Sequence, residues 1–427
     1  MKRSILLTAP LLGLWANLGH AQPSSEPVAD PVPSADVTPT PAPPTPAVSK
    51  TSSDDIDLSS LGLDPSASSF DDKLNIFGYA DFSYAAQRFS RDPVVIPKIS
   101  RGFVSGNLNV YIAKNLTPKA RSLLEVRFTF LPNGSINNDG TYVDTTARDI
   151  TDSQRQVQWG AIIIERAYVE YDLGEHLTIR GGHWLTPYGI WNIDHGSPVI
   201  IGTSRPYIVG AEFFPEHQTG LDLFGTDHEG AFKIEYHLTA SNGRGTTEAQ
   251  ADQDGELAFG ARLDVETHGL KLGGSYYRGR STGLPPVVGG LADTFLEAAY
   301  GADIQFDRGG LHVQAEVMAR DRHYDDGKRN SIASGFTADG RDTGFYALAG
   351  YRFDRWWNVM PYTIFENHSP ADHTSYGKIN AGSFGLNFRP AASLILKLQA
   401  EYARFDGGGL FDDEHATLYT SQASWVF

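Results

Sequence analysis

The sequence predicts an all-β fold, a transmembrane antiparallel β-barrel of about 16 strands. Three observations lead to this prediction. The chain begins with an export signal, its apolar and polar residues alternate with a period of two from residue 73 onward, and it ends on an aromatic residue, Phe427. The barrel must be closed, because the hydrocarbon core of a membrane offers no hydrogen-bond partner to a free strand edge.

Residues 1–21 have the features of a secretory signal peptide. Lys2 and Arg3 precede the apolar residues 5–18, and a small-x-small cleavage pattern ends at Ala21. A membrane anchor is the alternative, but the apolar run is short for a membrane-spanning helix. After Ala21 the sequence contains no run of about 18 apolar residues that could cross a membrane as a helix.

The composition excludes several classes of function. The chain has no cysteine, so disulfides, thiol catalysis and thiolate metal sites are excluded. Without residues 1–21, 33 basic and 51 acidic residues leave a net charge of −18, which argues against nucleic acid as a partner. The sequence lacks a His-Glu-x-x-His pattern, and we predict no metal, no cofactor and no enzymatic activity.

Residues 22–72 form a proline-rich, acidic linker. Nine prolines lie within residues 22–50, and residues 22–72 contain nine acidic residues and one basic residue. Such a segment cannot bury enough apolar surface to offset the entropy of ordering it. We predict a largely disordered periplasmic segment that extends from the barrel. Because its prolines favour an extended chain, the segment could reach peptidoglycan.

Residues 73–427 form the predicted barrel. In residues 257–266, for example, Leu, Phe, Ala, Leu and Val alternate with Ala, Gly, Arg, Asp and Glu, so that one face is apolar and the other mostly polar. The sixteen predicted strands are residues 73–88, 102–114, 120–131, 159–172, 176–185, 217–226, 231–242, 256–267, 269–279, 294–307, 310–321, 342–354, 356–367, 377–389, 393–405 and 416–427. The alternation is least regular in the strands at 73–88 and 159–172.

The connections between these strands also alternate. Seven are short, and eight are mostly longer and rich in Gly, Asp, Asn and Ser. Short periplasmic turns and long external loops are typical of bacterial outer-membrane barrels. A soluble all-β protein, such as two sandwiches or a propeller, could alternate equally well. Aromatic residues near the strand ends favour the membrane barrel, because they suit its interfacial girdles.

The last ten residues read LYTSQASWVF, and Tyr419, Trp425 and Phe427 share one face of the strand. This ending resembles the C-terminal signal of outer-membrane proteins that the barrel-assembly machinery recognises. The resemblance implies that this machinery is a partner. It also implies that the protein resides in the outer membrane of a Gram-negative bacterium, in contact with lipid and lipopolysaccharide.

A second resemblance lies in residues 177–190, which read LTIRGGHWLTPYGI. The segment is similar to the G-x-aromatic-x-x-P-aromatic-G segment of porins in the phosphate-selective porin O and P family. Residues 165–171, 218–221 and 241–243 add to the resemblance. It implies a sixteen-stranded barrel that assembles as a homotrimer, with a loop folded into the lumen. Anion selectivity in that family rests on ladders of lysine and arginine, and lysine is scarce here.

Residues 186–216 are the longest connection and the third external loop. Apolar residues at 199–201 and 208–209 are unusual for a loop in water. Packing against the inner barrel wall would explain them, whereas contact with a neighbouring subunit or packing within the loop are the alternatives. The residues predicted to form a pore constriction are Asp194, His195, Arg205, Glu212 and Glu216.

Charged residues of both signs occupy the predicted lumen face. The predicted pore-lining residues are Arg127, Arg166, Arg180, Arg262, Arg320, Lys397, Glu125, Glu170, Asp264, Glu316 and Glu401. Opposite charges across a narrow pore select solutes by charge and size, although each residue could simply form a salt bridge in the wall. The pattern indicates a porin for passive diffusion of small hydrophilic solutes or ions. The alternatives are a channel preferring phosphate, other small anions or sugars, and a structural or adhesive barrel with a blocked lumen.

Overall fold

A computed structural model describes twelve stretches of the chain. They are residues 73–90, 99–130, 135–136, 142–143, 159–193, 195–210, 212–245, 255–282, 294–325, 339–371, 377–406 and 413–427. The predicted signal peptide, the predicted linker at residues 22–72 and the predicted constriction residue Asp194 lie outside these described residues.

Sixteen long antiparallel strands form one closed sheet. They are β1 (Leu74–Phe89), β2 (Ile99–Thr117), β3 (Ala120–Phe130), β4 (Trp159–Asp172), β5 (Thr178–Leu185), β6 (His217–Glu229), β7 (Phe232–Ser241), β8 (Ala258–Thr267), β9 (Leu270–Thr282), β10 (Thr294–Arg308), β11 (Leu311–Tyr324), β12 (Gly340–Tyr351), β13 (Met360–Ser369), β14 (Lys378–Ala391), β15 (Leu394–Asp406) and β16 (Glu414–Val426). Each strand pairs with its neighbours in sequence, and β1 pairs with both β2 and β16, which closes the barrel. The predicted fold class is confirmed.

The smaller elements lie in the connections. A two-residue strand, Arg244–Gly245, pairs in parallel with the end of β9, and the strands Ser135–Ile136 and Tyr142–Val143 pair with each other. A short helix, Tyr207–Gly210, lies within the third long connection. No helix among the described residues is long and apolar enough to cross a membrane.

One predicted strand begins later than the alternation indicates. The strand predicted at residues 356–367 is Met360–Ser369 in the structure. Trp356, Trp357 and Asn358 have φ angles of 57°, 64° and 51°, which belong to the left-handed region. Three successive residues in that region cannot continue an extended strand, so they form the turn between β12 and β13.

The irregular alternation of β4 has a structural cause. Glu125 pairs with Arg166 across β3 and β4, whereas the next residue of β3 pairs with Ile164, so Glu165 is an extra residue in a β-bulge. Before the bulge the even-numbered Ile164 faces outward, and after it the odd-numbered Val169 does. The bulge therefore shifts which residues of the strand point into the barrel.

The two faces of the sheet differ in polarity. In β8, Phe259 and Leu263 are 58% and 52% exposed, whereas the alternating Arg262 and Asp264 are each 4% exposed. The apolar side chains therefore form the outer face of the barrel and the polar side chains point inward, as the period of two predicts.

Candidate functional site

The connection between β5 and β6, residues 186–216, is closed at its base by hydrogen bonds. The Thr186 backbone N–H donates to the Glu216 carbonyl at 2.9 Å, and its hydroxyl donates to the Pro215 carbonyl at 2.5 Å. The Asn192 side chain donates to the Thr186 hydroxyl oxygen at 2.9 Å. The two ends of this segment, which we call loop 3, are thus held together where the strands end.

A glycine turn directs loop 3 toward strands β9 to β11. Gly189 has a φ of 74°, and a Cβ atom there would lie 2.2 Å from Oε2 of Glu316. Its N–H donates to the Ser275 hydroxyl at 3.2 Å, and the N–H of Trp191 donates to Oε1 of Glu316 at 3.2 Å. Only glycine combines this backbone conformation with such a close approach, because its αL conformation costs nothing and it lacks Cβ.

Apolar residues of loop 3 pack against the inward face of strands β8 to β13. The loop contributes Tyr188, Trp191, Ile208, Val209, Phe213 and Phe214, with Ile200 and Ile201 partly buried beside them. The strands contribute Ala258, Tyr277, Ala299, Met318, Tyr346, Leu348, Tyr362 and Ile364. Of the apolar positions that are unusual for a loop in water, Ile208 and Val209 are therefore buried against the strands and Ile200 and Ile201 are partly buried there, which stabilises the loop.

Polar side chains of the adjacent strands β14 and β15 bind the main chain of loop 3. The ammonium group of Lys397 is buried and donates to the carbonyls of Ser197 at 2.6 Å and Gly202 at 2.9 Å. The Asn387 side chain donates to the Ile201 carbonyl at 3.0 Å. These donors satisfy loop carbonyls that are removed from water, which would otherwise be costly to bury.

Two buried carboxylates hold the helix of loop 3. The Tyr207 N–H donates to Oε2 of Glu366 at 2.8 Å, and the Tyr207 hydroxyl donates to Oε1 of Glu401 at 2.8 Å. Of the predicted pore-lining residues, Lys397, Glu316 and Glu401 thus contact loop 3. We call strands β8 to β15, which carry most of the contacts with the loop, the covered wall; the Tyr188 hydroxyl also lies 2.6 Å from the Thr239 hydroxyl of β7.

Three of the predicted constriction residues form a cluster within loop 3. Arg205 makes two hydrogen bonds to Glu216, each at 2.8 Å, and Nε2 of His195 lies 3.7 Å from Oε1 of Glu216. Burial acts to raise the pKa of Glu216, but Arg205 and His195 outweigh it and hold that pKa below its usual range. Burial lowers the pKa of His195, although Glu216 opposes the shift.

Glu212 lies near the end of loop 3 and is held by arginines of the strands. Arg320 donates to the Glu212 carbonyl at 2.9 Å and to the Asp342 carboxylate at 2.8 Å. The Arg244 guanidinium lies 3.4 Å from the Glu212 carboxylate. The predicted pore-lining residue Arg320 therefore connects the covered wall to the loop.

The predicted pore-lining pair Arg262 and Asp264 is also buried in the covered wall. The Arg262 guanidinium lies 2.6 Å from Asp264 and 2.7 Å from Asp303, and the three side chains are at most 5% exposed. The stability of this part of the wall depends on all three groups, because removal of one partner leaves an uncompensated charge in a buried position.

The opposite wall, β2 to β7, carries ion pairs that loop 3 leaves partly exposed. We call it the open wall. Its arginine pairs are Arg121–Glu170 and Arg166–Glu125, both at 2.5 Å, Arg127–Glu165 and Arg180–Glu170, both at 2.7 Å, Arg121–Asp172 at 2.8 Å, and Arg180–Asp222 at 3.1 Å. The arginine side chains are 16–19% exposed, whereas their carboxylate partners are 0–6% exposed, except Asp172, which is 33% exposed. Apart from Asp172, the carboxylates are therefore less accessible to water than the guanidinium groups they bind.

Aromatic rings keep the guanidinium groups of the open wall in place. Arg180 lies over the rings of Tyr168 and Phe224, at 4.7 Å and 4.6 Å from their centroids. Arg166 lies 5.4 Å from the centroid of the Tyr111 ring. Such cation–π contacts add to the ion pairs and restrict the arginine rotamers.

Sequence reasoning missed several residues of both walls. Glu165 was missed because the bulge in β4 turns it inward, and Asp222 is an isolated acid whose two partners are distant in sequence. The role of Glu366 and Tyr207 depends on a contact between residues 159 positions apart. The inward parity of Asp222 within β6 and of Glu366 within β13 is a sequence signal that could have identified these two residues.

The C-terminal residues lie on the outer face where β16 meets β1. Tyr419, Trp425 and Phe427 are 58%, 41% and 57% exposed. Phe427 and Gly78 each donate a backbone hydrogen bond to the other at 2.9 Å, and a Cβ atom on Gly78 would lie 2.8 Å from the Phe427 ring. Glycine at position 78 therefore leaves room for the terminal ring. The role of these residues in assembly stays a prediction.

The closed barrel, its apolar outer face and its polar interior define a transmembrane β-barrel of the porin type. No family model matches the chain. An uncharacterized protein of Aquifex aeolicus (strain VF5) is 25% identical over 314 residues, which cover 63% of this chain and 66% of that protein, just under two thirds of its length. This match supplies no function.

Solved structures of outer-membrane proteins share the fold. The anion-selective porin from Comamonas acidovorans has a TM-score of 0.51 and 12% identity over 83% of this chain and 99% of that one. The outer membrane channel DcaP of Acinetobacter baumannii has a TM-score of 0.51 and 10% identity over 83% and 97%. The trimer form of OmpT of Vibrio cholerae has a TM-score of 0.50 and 9% identity over 83% and 99%. The chain thus has the fold of outer-membrane porins, and the resemblance to the porin O and P family stays a prediction.

Proposed function

We propose that the chain forms an outer-membrane channel through which small hydrophilic solutes and ions diffuse passively. The observation that carries this proposal is the partial exposure of the open-wall arginines inside a closed barrel. Loop 3 covers one wall and leaves an accessible, charged surface on the other. The loop then acts as the constriction, and Arg205, Glu212, His195 and Glu216 lie at or near it.

Planar-bilayer recording tests this function. The purified, folded protein should give stable, ohmic steps of conductance. Saturation of the current by one solute would instead favour a substrate-preferring channel of the same fold. Folded protein that never conducts would contradict both and would favour a structural or adhesive barrel with a blocked lumen. Heat-modifiable migration in gels serves as the control for folding.

A preference for anions is the second part of the proposal. In five of the six arginine–carboxylate pairs described for the open wall the arginine is the more exposed member, and the exception is Arg121–Asp172, in which Asp172 is 33% exposed. A permeating ion therefore approaches the guanidinium groups more closely, and the nearer charge dominates its energy. The fold shared with a porin described as anion-selective is consistent with this preference. In a salt gradient the reversal potential should lie toward the equilibrium potential of chloride; a value toward that of potassium would contradict it.

The proposed location implies specific partners. The exposed apolar face suits outer-membrane lipid, and the external loops would contact lipopolysaccharide. We further propose a homotrimer, an arrangement that the solved structure of OmpT also has, and assembly through Tyr419, Trp425 and Phe427. Chemical cross-linking in native membranes should give a ladder that ends at three subunits. Removal of Phe427 should lower the amount of folded barrel in the membrane, and monomers alone would contradict the trimer.

Residues 22–72 could connect the barrel to the cell wall. Their prolines favour an extended chain that can span the distance to peptidoglycan. The test is to delete residues 22–72 after the predicted export signal and to measure how much protein sediments with purified cell-wall sacculi. Unchanged sedimentation would contradict this role.

A further inference from the structure

A row of basic side chains crosses the outer face of four adjacent strands, at the end of the barrel that carries loop 3. The row, which we call the basic belt, consists of Arg404 on β15, His415 on β16, Arg88 on β1 and Arg101 on β2. Arg404 and His415 are cross-strand partners. Arg101 pairs with Ala86, two residues before Arg88. All four basic side chains are exposed, and because neighbouring strands lie about 4.8 Å apart, the belt is about 14 Å wide.

The alternation of the strands holds the belt on the outer face. Phe89 follows Arg88, and Phe405 follows Arg404. Both phenylalanines are buried in an apolar cluster beside Tyr207 of loop 3, on the lumen side of the sheet. Successive side chains of a strand point to opposite faces, so the basic residues point away from the barrel. At this end the strands thus carry apolar residues inside and basic residues outside, which is the reverse of β8.

Acidic side chains balance the charge of the belt only in part. Arg404 has two of them nearby, Asp406 at 2.9 Å and Asp413 at 3.8 Å. Arg88 and Arg101 form no ion pair among the residues that the structure describes. A charge on the lipid-facing surface of a barrel is more stable beside a counter-ion than beside hydrocarbon. A ligand that brings negative charge to this face from outside the barrel is therefore stabilised there.

An apolar groove of about 330 Å³ lies on the outer face below the belt, and we call it the outer groove. Ala400 forms its floor, because this small residue is the cross-strand partner of both Phe384 and Tyr419. The two rings are 60% and 58% exposed and stand on either side of it. Ala400 lies four residues from Arg404, or about 13 Å along the strand. The other lining residues include Tyr84, Leu398 and Ser421. The outer groove can therefore hold an acyl chain of a lipid whose headgroup lies at the belt.

The belt lies at the level that lipid headgroups occupy. Exposed aromatic rings mark this level on outer-membrane barrels. Tyr402, two residues before Arg404, is 51% exposed. Phe103, two residues after Arg101, is 74% exposed. The guanidinium groups are therefore within reach of lipid phosphates, which arginine binds through paired N–H donors.

We propose that the basic belt and the outer groove bind one lipopolysaccharide molecule of the outer leaflet. The arginines hold the phosphates of its lipid A headgroup, and the outer groove holds one of its acyl chains. This inference rests on the proposed location in the outer membrane. A headgroup with two phosphates suits several arginines better than the single phosphate of a phospholipid, because each further pair of opposite charges adds to binding.

Native mass spectrometry of the purified, folded protein tests the belt. The probe is lipid A with two phosphates, and dephosphorylated lipid A and phosphatidylglycerol are the comparison lipids. The original protein should bind the first lipid most tightly. The triple variant Arg88→Gln, Arg101→Gln and Arg404→Gln should bind it at least about tenfold more weakly. Arg341→Gln is the matched control and should bind like the original protein, because Asp321 already holds this exposed arginine of β12 at 2.6 Å.

A second variant tests the outer groove without a change of charge. Ala400→Phe places a ring between Phe384 and Tyr419 and fills the groove. This variant should bind lipid A with two phosphates several-fold more weakly than the original protein. Ala302→Phe, on the exposed outer face of β10, is its control and should not change binding. Heat-modifiable migration in gels confirms that each variant is folded.

The outcomes separate this inference from the channel function. If the original protein does not bind lipid A, or if the triple variant binds it equally well, the inference is wrong. If phosphatidylglycerol binds as tightly as lipid A, the belt recognises any anionic lipid and the inference is wrong as well. Loss of the trimer with unchanged lipid binding in the triple variant would show that the belt is a contact between subunits, which also overturns it. In every case, conductance in planar bilayers decides the channel function independently.

Discussion

The covered wall and the open wall of the lumen are built from the same alternation but use their inward polar residues differently. On the covered wall, Lys397, Glu316 and Glu401 bind main-chain or hydroxyl groups of loop 3. On the open wall, Arg166 and Arg180 bind carboxylates and remain partly exposed. An inward charged residue in a barrel therefore has two possible roles, which are to anchor the loop or to face the solute.

The difference has an energetic reason. A charged group that is removed from water needs partners for each donor or acceptor, and loop 3 supplies them to the covered wall. An arginine that keeps contact with water needs fewer partners and can still act on a passing ion. Substitutions on the covered wall should therefore change stability and conductance, whereas substitutions on the open wall should change selectivity.

The largest expected effect concerns the buried ion cluster of the covered wall. Arg262→Gln removes the cation between Asp264 and Asp303 and leaves two buried carboxylates without it. Breaking such a pair costs about 3–5 kcal/mol. Urea unfolding in detergent micelles, followed by tryptophan fluorescence, should show this loss. Arg341→Gln, which breaks an exposed pair with Asp321, is the control and should leave the midpoint of unfolding nearly unchanged, because water screens an exposed ion pair. Equal losses would contradict the distinction.

The next effect concerns the tether of loop 3. Lys397→Met keeps the length of the side chain but removes the donor to the Ser197 and Gly202 carbonyls. Two unsatisfied buried carbonyls cost about 2–4 kcal/mol, which should loosen the loop. Single-channel conductance should therefore rise and become noisier. Lys378→Met, on the exposed outer face, is the control, and an unchanged conductance in Lys397→Met would argue against an anchored constriction.

A smaller effect is expected at the glycine turn. Gly189→Ala places a methyl group against Glu316 and Met318 in a residue with positive φ, which should cost about 1–3 kcal/mol. The matched control is Gly210→Ala in the same loop, because a Cβ atom there meets nothing within 4 Å. Limited proteolysis of folded protein should cut loop 3 faster in the first variant only. Equal rates would show that the turn does not position the loop.

Substitutions on the open wall should change the ion selectivity of the channel. Arg166→Gln removes a guanidinium that is 18% exposed and leaves Glu125 without its cation. At a distance of about 8 Å from the permeating ion, the loss of one charge changes the concentration of each ion about twofold in opposite directions, so the ratio of anion to cation permeability should fall about sixfold. The reversal potential in a salt gradient measures this ratio. A value equal to that of the original protein would place the selectivity elsewhere in the lumen.

The smallest expected effect is the acid sensitivity of the ion pair Arg205–Glu216 in loop 3. The pKa of Glu216 is held below its usual range, so the pair contributes stability above the ordinary carboxyl pKa of about 4.3 and loses it as the pH falls through the lowered value. Loop 3 should thus resist proteolysis equally at pH 8 and pH 5, and become more sensitive only in stronger acid. Glu216→Gln should be more sensitive at pH 8 already. A large change for the original protein between pH 8 and pH 5 would contradict this assignment.

The strands could be predicted from sequence because their pattern is local. Side chains alternate along any extended chain, so Phe259 and Arg262 reveal the faces of β8 without knowledge of its neighbours. The prediction was less accurate where local geometry departs from regular extension. The bulge at Glu165 changes the phase of β4, and the left-handed residues Trp356, Trp357 and Asn358 delay the start of β13. No residue type at these positions requires either departure.

The candidate site was only partly predictable. Arg205, Glu216 and His195 could be selected as charged residues of the longest described loop, and the structure brings them together. The partners Asp222 and Glu165 were missed because the pairing of strands, and not the spacing in sequence, places them beside arginines. Lys397 was selected as a charged lumen residue, yet it contacts carbonyls about 200 positions away.

The sequence by itself determined the barrel, the polarity of its two faces and the number of strands. Each of these follows from the alternation of apolar and polar residues with a period of two and from the turn-forming residues between the strands. Only the tertiary structure decided which wall loop 3 covers and which member of each ion pair faces the lumen. The physical reason is that alternation is a property of one strand, whereas exposure to water depends on every element that packs around a side chain. Arg180 and Asp222 point to the same face of the sheet, but only the arginine remains within reach of a solute.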